Sequence, residues 1–244
     1  MADVLLLCLD TSDGASVAVC LGSEVLGSAR SAEQRRHAET LSPMVSRVLD
    51  GAGLTPRDLG GIAVGTGPAP FTGLRVGLVT ARTLGQALGV DVHGVCSLDA
   101  LALQALDQVR GGDSGVDSGG DSGGGEILVA TDARRREVYW ARYRRDEGDV
   151  TCLDGPGVDA PAAVAARFPA LVASGRVTGR GVDLYPDHLH RGAAPADAGD
   201  AVVRPETFAR IVTARLTRGG DLSLAPRYLR RPDIHASAGR KRAS

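Results

Sequence analysis

Apolar and polar positions at the start of the chain follow a strand-like pattern. An apolar run over residues 4–10 ends in the turn cluster 10–14, which predicts a buried strand entering a hairpin. Residues 15–21 and 24–30 predict two further strands, with Gly22 and Ser23 forming the tight turn between them. We therefore expect the chain to open with a three-stranded antiparallel meander.

The pattern then changes to alternating helices and short strands. Apolar residues at helical spacing predict a helix over 38–49, closed by Gly51 or Gly53. Ser97 is a candidate N-cap for a further helix, because its hydroxyl can accept a hydrogen bond from a free amide. The order β-β-β-α-β-α-β-α implies a mixed sheet covered by helices. The remaining elements are predicted as strands over 61–65 and 91–95 and helices over 72–88 and 98–109.

The helix over 72–88 carries a small residue at every fourth position. Each interior glycine costs about 1 kcal/mol relative to alanine, so a close approach to a neighbouring element should offset the loss. Two alternatives are open: the helix packs tightly on its own sheet, or it meets a partner protein. The stripe consists of Gly73, Gly77, Ala81, Gly85 and Gly89.

A segment of glycine, serine and aspartate divides the chain. Residues 111–125 contain only these types and Val116, a composition that favours a flexible linker. After it, residues 126–132 and 137–144 repeat the opening unit of an apolar strand ending in Asp, a turn and a second strand. We predict a first subdomain over 1–110, a second over 126–232 and a basic tail over 233–244. Within the second, helices are predicted over 160–168 and 206–217, and a strand and turn over 176–183.

Composition restricts the classes of function. The chain has 244 residues, 43% of them hydrophobic, and a formal net charge of −1, so no global field attracts nucleic acid or a membrane. The four cysteines have no metal-ligand spacing and suggest no disulfide framework. The first residues contain neither a signal peptide pattern nor a membrane span, so we expect a cytoplasmic protein.

Three motifs resemble the TsaB (YeaZ) family, bacterial proteins required to make threonylcarbamoyladenosine in tRNA. They are GTGPAPFTGLRVGL, TDARRREVYWARY and PRYLR. The resemblance covers residues 1–145 apart from the linker, and again 226–231. It implies an α/β fold of two tandem actin-like (ASKHA, RNase H-like) β-β-β-α-β-α subdomains with mixed sheets.

The resemblance also implies partners. Proteins like TsaB pair with TsaD, a paralogue that carries the metal site and transfers the threonylcarbamoyl group, and an ATPase called TsaE joins them. The contact would use the first two helices, and a homodimer through the same helices is an alternative. Contact with tRNA would come only through the complex. The candidate interface residues are Leu41, Met44, Val45, Val48, Gly73, Val76, Gly77, Thr80, Ala81 and Leu84.

A nucleotide cleft of this fold would lie after the two strands that end in aspartate. Compared with the phosphate-binding turns of ATPases of this fold, the turn at Asp10 and Thr11 also has hydroxyl groups but contains a further acidic residue. The turn after Asp132 contains no glycine. A turn without glycine limits how closely the backbone can approach phosphate. We therefore expect a degenerate cleft, no catalytic residue and no cofactor of its own, with ATP entering only at the level of the complex. An ATP-dependent small-molecule kinase of the same fold is the alternative.

Two further features of the sequence bear on ligands. The loop before the second helix has Ala69 and Pro70 where the family has Gly-Ser, which favours a structural turn, with Thr72 as N-cap, over an anion site. His37 is followed four residues later by Leu41, so no metal site is expected. His93 is expected to be a core residue, and His188 and His190 surface residues.

The densest positive cluster follows the second aspartate. Arg134, Arg135 and Arg136 precede a strand in which further arginines interleave with Tyr139, Trp140 and Tyr143. Basic and aromatic residues together can hold RNA. A solvated hairpin edge is the simpler interpretation of the same charges.

Overall fold

Two mixed β-sheets, one in each half of the chain, form the framework of the computed structural model. The structure describes residues 4–31, 37–112, 125–192 and 202–230. The first half contains, in order, β1 Leu5–Asp10, β2 Ala15–Leu21, β3 Glu24–Ser31, α1 His37–Gly51, β4 Gly61–Gly65, α2 Phe71–Leu88, β5 Asp91–Val95 and α3 Ser97–Gly112. The rest contains β6 Glu126–Asp132, β7 Val138–Asp146, β8 Asp149–Asp159, α4 Pro161–Arg167, α5 Pro169–Ala173, β9 Val177–Thr178, α6 Arg180–Leu184 and α7 Glu206–Arg218.

The first sheet has the strand order β3-β2-β1-β4-β5. β1, β2 and β3 are antiparallel, which confirms the predicted meander, and β4 and β5 extend the sheet in parallel to β1. Side chains alternate between the two faces of each strand. Leu7 and Leu9 pack with α1 and α2 on the outer face, and Leu6 and Cys8 point into the other core.

The second sheet has the order β8-β7-β6-β9 and repeats the topology of the first. α4, α5 and α6 cover its outer face around Trp140 and Phe168. β8 has no counterpart in the sequence prediction, and 180–184 is a helix where a turn was expected. A Cβ on Gly179 or Gly181 would lie only 2.4 or 2.9 Å from the carbonyl oxygen of Ala130, so these glycines let α6 lie close to β6.

The core between the two sheets is filled by α3 and α7. Phe208, Ile211 and Val212 of α7 are fully buried there and belong to the same cluster as Cys8 of β1 and Val129 of β6. α7 therefore contacts both halves, although it lies beyond the second sheet in sequence. Among the described residues, no helix has the length and apolar character needed to cross a bilayer.

After α7, residues 220–230 return along the first half; we call them the C-terminal strap. The amide of Gly94 donates to the Leu222 carbonyl at 2.9 Å, and the amide of Arg227 donates to the Thr66 carbonyl at 2.9 Å. From α2, Arg82 donates to the Leu224 carbonyl at 3.2 Å. The PRYLR motif is thus part of a segment that is hydrogen-bonded to α2 and β5.

Candidate functional site

The candidate cleft lies where β1 and β6 end, at the boundary between the halves. The turn after β1 is tied to the second half, because Arg180 of α6 donates to Asp13 at 2.8 Å. Arg180 follows β9, which pairs with β6 in the second sheet. An ion pair of the chain itself therefore bridges the two halves at the position predicted for a phosphate-binding turn.

Asp10, the first predicted cleft residue, is enclosed by its own chain. It is only 3% exposed, and Oδ1 accepts hydrogen bonds from the Ser12 amide at 2.9 Å and from the Ser12 hydroxyl. Oδ2 accepts from the Ser97 hydroxyl at 2.8 Å. The N-cap prediction for Ser97 is therefore wrong: Ser97 is the first residue of α3, and its hydroxyl serves Asp10. Burial raises the pKa of Asp10, and the hydrogen bonds from both serines oppose that rise.

The raised pKa of Asp10 gives a pH-dependent prediction. In the unfolded chain the carboxyl titrates at about 3.9, so its contribution to stability is complete below that pH and is lost as the pH rises through the higher folded value. Asn at this position cannot ionise. Asn also replaces one acceptor oxygen with an amide donor, a loss of hydrogen bonding that does not itself titrate. The expected result is therefore a trend: the free energy of unfolding of the wild type should fall relative to that of Asp10→Asn as the pH rises from 4 to 8. Urea unfolding of both proteins across this range measures it, and a difference that stays constant with pH would contradict it.

Thr11, the second predicted cleft residue, belongs to the packing of α2. It is 2% exposed, and its hydroxyl donates to the Gly73 carbonyl at 2.9 Å. A Cβ on Gly77 would lie 2.5 Å from the Thr11 hydroxyl oxygen, so Gly77 lets the helix approach this side chain. The threonine hydroxyl is thus used to hold α2 against β1.

Asp132, the third predicted cleft residue, holds the turn that follows β6. Oδ1 accepts from the Arg134 amide at 2.7 Å, and Oδ2 pairs with the Arg134 guanidinium at 3.0 Å. Arg134, Arg135 and Arg136 have φ values of 62°, 55° and 60°, three successive non-glycine residues in the left-handed region. This conformation costs an L-residue roughly 1–2 kcal/mol.

The loop before α2 is a buried structural turn, as its sequence predicts. The Gly67 carbonyl accepts from the Ser97 amide at 2.8 Å, and the Thr66 amide donates to Val95 at 2.8 Å. The N-cap prediction for Thr72 is wrong, because α2 begins at Phe71 with Pro70 in the cap position. Proline brings no side-chain hydrogen-bonding group to that position.

The structure places most of the predicted interface residues inside the protein. Six of them, Leu41, Met44, Val45, Val48, Gly77 and Ala81, are buried in the core formed with the first sheet. Gly73, Val76, Thr80 and Leu84 are partly exposed. A partner that docks on this helix pair would therefore contact these four partly exposed residues and their exposed neighbours.

The four histidines considered as metal ligands lie in different parts of the fold. His93 is half-buried in β5, where burial lowers its pKa, and His188 and His190 are exposed. His37 begins α1, and its side chain lies outside the described residues. Within the described ranges, no three His, Cys, Asp or Glu side chains form a group that could hold a metal.

The aromatic residues interleaved with the arginines face inward. Tyr139, Trp140 and Tyr143 are 4%, 4% and 1% exposed. The Trp140 indole donates to Asp159 at 2.7 Å, and the Tyr143 hydroxyl donates to Asp99 at 2.8 Å. These rings belong to the core, so the hairpin presents charge to solvent but no aromatic platform.

Sequence reasoning missed a buried ionic network around Arg215 of α7. This side chain donates to Asp99 of α3 at 2.7 Å and to Asp149 of β8 at 2.8 and 3.1 Å. Burial alone would lower the pKa of Arg215, but its hydrogen bonds to Asp149 and Asp99 hold it above the ordinary value. The network joins elements of both halves, and its members are too far apart in sequence to form a recognisable motif.

The duplicated unit and the two strands that end in aspartate define a protein of the actin-like fold class. The solved structure of YeaZ from Pseudomonas aeruginosa superposes with a TM-score of 0.72 at 28% identity, covering 94% of this chain and 100% of that one. The family model described as "TsaD: tRNA N6-adenosine threonylcarbamoyltransferase" matches residues 26–185. The chain belongs to the TsaB (YeaZ) family.

Relatives of known sequence agree with this assignment. The tRNA threonylcarbamoyladenosine biosynthesis protein TsaB of Escherichia coli is 31% identical over 156 residues, covering 63% of this chain and 61% of that protein. An uncharacterized protein of Mycobacterium tuberculosis is 41% identical over 209 residues, covering 86% of this chain and 82% of the relative. The expected resemblance and the expected fold class are therefore confirmed.

Proposed function

We propose that this chain takes part in the biosynthesis of threonylcarbamoyladenosine in tRNA as a non-catalytic subunit that pairs with a TsaD-like protein and activates it. Such a role places it in the cytoplasm. Membership of the TsaB family supports the pathway. The hydrogen bonds that enclose Asp10 in the cleft support the non-catalytic role.

The observation that carries the non-catalytic role is the enclosure of Asp10. Three donors from Ser12 and Ser97 occupy its oxygens, and Gly65 lies so close that a Cβ there would be 2.0 Å from Oδ2. A phosphate or metal would have to displace these contacts. Titration with ATP and magnesium in a calorimeter tests this: we expect no tight binding, and tight binding lost in Asp10→Ala would favour the kinase alternative.

The partner surface we propose is the exposed face of α2, beside α1. Positions 72, 79, 83 and 87 share one side of this helix, are exposed and carry no charge. Val79 is the most prominent of them, with 62% of its surface exposed. Its neighbours one helical turn away are Val76 and Thr83 on one side and the exposed Arg75 and Arg82 on the other. An exposed apolar residue with a charged rim on one side is suited to burial against another protein.

A charge at position 79 tests this surface. Val79→Glu should weaken co-purification with the TsaD-like protein at least tenfold, because a carboxylate would have to lose its water at the contact. Val25→Glu on β3 is the matched control, since Val25 is also exposed, at 46%, but lies on the far edge strand. Both variants should unfold like the wild type.

The outcomes separate the alternatives. Undiminished pairing of Val79→Glu would remove this face from the proposal. Loss of self-association with intact pairing would identify a homodimer surface instead. Recruitment of a TsaE-like ATPase is measured in the same experiment by adding that protein to the purified pair.

A further inference from the structure

The turn between β6 and β7 presents three guanidinium groups in succession. Arg134, Arg135 and Arg136 are all exposed, and all three have positive φ. The turn is closed by backbone hydrogen bonds from Ala133 to the Glu137 carbonyl at 3.0 Å and from Glu137 to the Arg134 carbonyl at 3.1 Å. The arginine side chains extend from a backbone that is fixed at both ends.

Arginine is a poor choice for this backbone conformation. Glycine adopts the left-handed region without penalty, and asparagine adopts it more readily than other side chains. A turn that served only to connect two strands would be more stable with those residues. The strain therefore indicates that the side chains themselves have a use.

The surroundings of the turn carry an excess of positive charge. Its two flanking carboxylates already have arginine partners: Asp132 pairs with Arg134, and Glu137 pairs with Arg230 of the C-terminal strap. In the described part of the chain, Arg230 and the three arginines of the turn therefore lie around Asp132 and Glu137. The chain as a whole has a net charge of −1, so this concentration is local.

The chemistry of the surface restricts what it can recognise. The aromatic rings of β7 are buried, so the surface offers no platform on which unpaired bases could stack. Guanidinium groups bind phosphate oxygens in a forked geometry and do so without reading sequence. The surface fits the phosphate backbone of an RNA.

We propose that the turn Arg134–Arg136 contacts the phosphate backbone of the tRNA directly. The inference rests on the proposed function, which supplies the tRNA, and it adds a contact made by this chain itself. Since only phosphates are contacted, the contribution should be dependent on salt and independent of sequence.

The test compares side chains that keep or remove the charge. Binding of tRNA to the purified complex of this chain with its TsaD-like partner is titrated between 50 and 200 mM salt. Arg135→Asn/Arg136→Asn should bind on the order of tenfold more weakly and reduce the slope of log affinity against log salt by about 1.5 to 2. Arg135→Lys/Arg136→Lys and the remote variant Arg57→Asn should keep the slope of the wild type.

A second measurement separates binding from folding. Because asparagine tolerates the left-handed region, the double asparagine variant should melt at or above the wild-type temperature. An unchanged slope and affinity in that variant would overturn the inference while leaving the pairing proposal intact. Competition by millimolar inorganic phosphate would overturn it too, by indicating a small-anion site. If no pairing occurs, the proposed function fails, and the same titration with the chain alone still tests the turn.

Discussion

Arg215→Ala is expected to lower the free energy of unfolding by about 3–5 kcal/mol, the cost of removing one partner from a buried ionic network. The guanidinium is 12% exposed and pairs with Asp99, 10% exposed, and Asp149, 9% exposed. Without it, Asp99 loses its arginine partner and Asp149 keeps only the longer contact, at 3.9 Å, with Arg218. The Tyr143 hydroxyl, which donates to Asp99, cannot neutralise either charge.

Arg218→Ala is the matched control, because it lies on the same helix. Arg218 is 36% exposed, pairs with Asp146, which is 48% exposed, at 3.2 Å, and reaches Asp149 only at 3.9 Å, against 2.8 Å for Arg215. Exposed pairs of this kind contribute about 1 kcal/mol or less. Urea unfolding at pH 7 compares the two variants. Equal losses would mean that Arg215 is no more important than a surface arginine, and that α7 is held by its apolar face alone.

Elements with a strong local pattern were predictable from sequence. The bounds of β4, β5 and β6 agree with the prediction. β4 and β6 are short apolar runs between turn residues, and β5 follows the glycine that ends α2. The duplication was visible because both halves open with the same apolar strand ending in aspartate. Where the apolar pattern weakens, after residue 149, β8 was missed and α6 was predicted as a turn.

Features that depend on distant contacts were not predictable. Arg215 lies 66 and 116 residues from its two carboxylate partners, and no local signal marks the three as a group. The same holds for Ser97, whose hydroxyl was expected to cap its own helix but donates to an aspartate 87 residues away. A polar side chain at a helix start has several candidate acceptors, and the tertiary fold chooses among them.

The stripe of small residues on α2 is compatible with packing on its own sheet or with binding a partner protein. In the structure, Gly77, Ala81 and Gly85 of this stripe pack against the rest of the same chain. Gly77 lies against Thr11 of the turn after β1, and a Cβ on Gly85 would be 2.3 Å from the Val92 side chain on β5. Ala81 is fully buried. The glycines therefore let α2 approach its own sheet, which offsets their low helix propensity.

Gly77→Leu should consequently destabilise the isolated fold by about 3 kcal/mol or more, as an overpacked core position. The new Cβ would lie 2.5 Å from the Thr11 hydroxyl oxygen, and the remaining leucine atoms would extend into a side chain that is 2% exposed and bonded to Gly73. Thr11 cannot move aside without losing that hydrogen bond. Thermal and urea unfolding of the chain alone measure the loss.

Gly51→Ala provides the comparison for Gly77→Leu. Gly51 ends α1, and no atom of the described residues lies within 4 Å of a Cβ placed there. This variant should be as stable as the wild type or gain up to about 1 kcal/mol. If Gly77→Leu instead unfolds like the wild type and loses only its partner, the glycine belongs to the docking surface. A loss of stability would mean that the partner must be sought on the exposed side of the helix, around Val79.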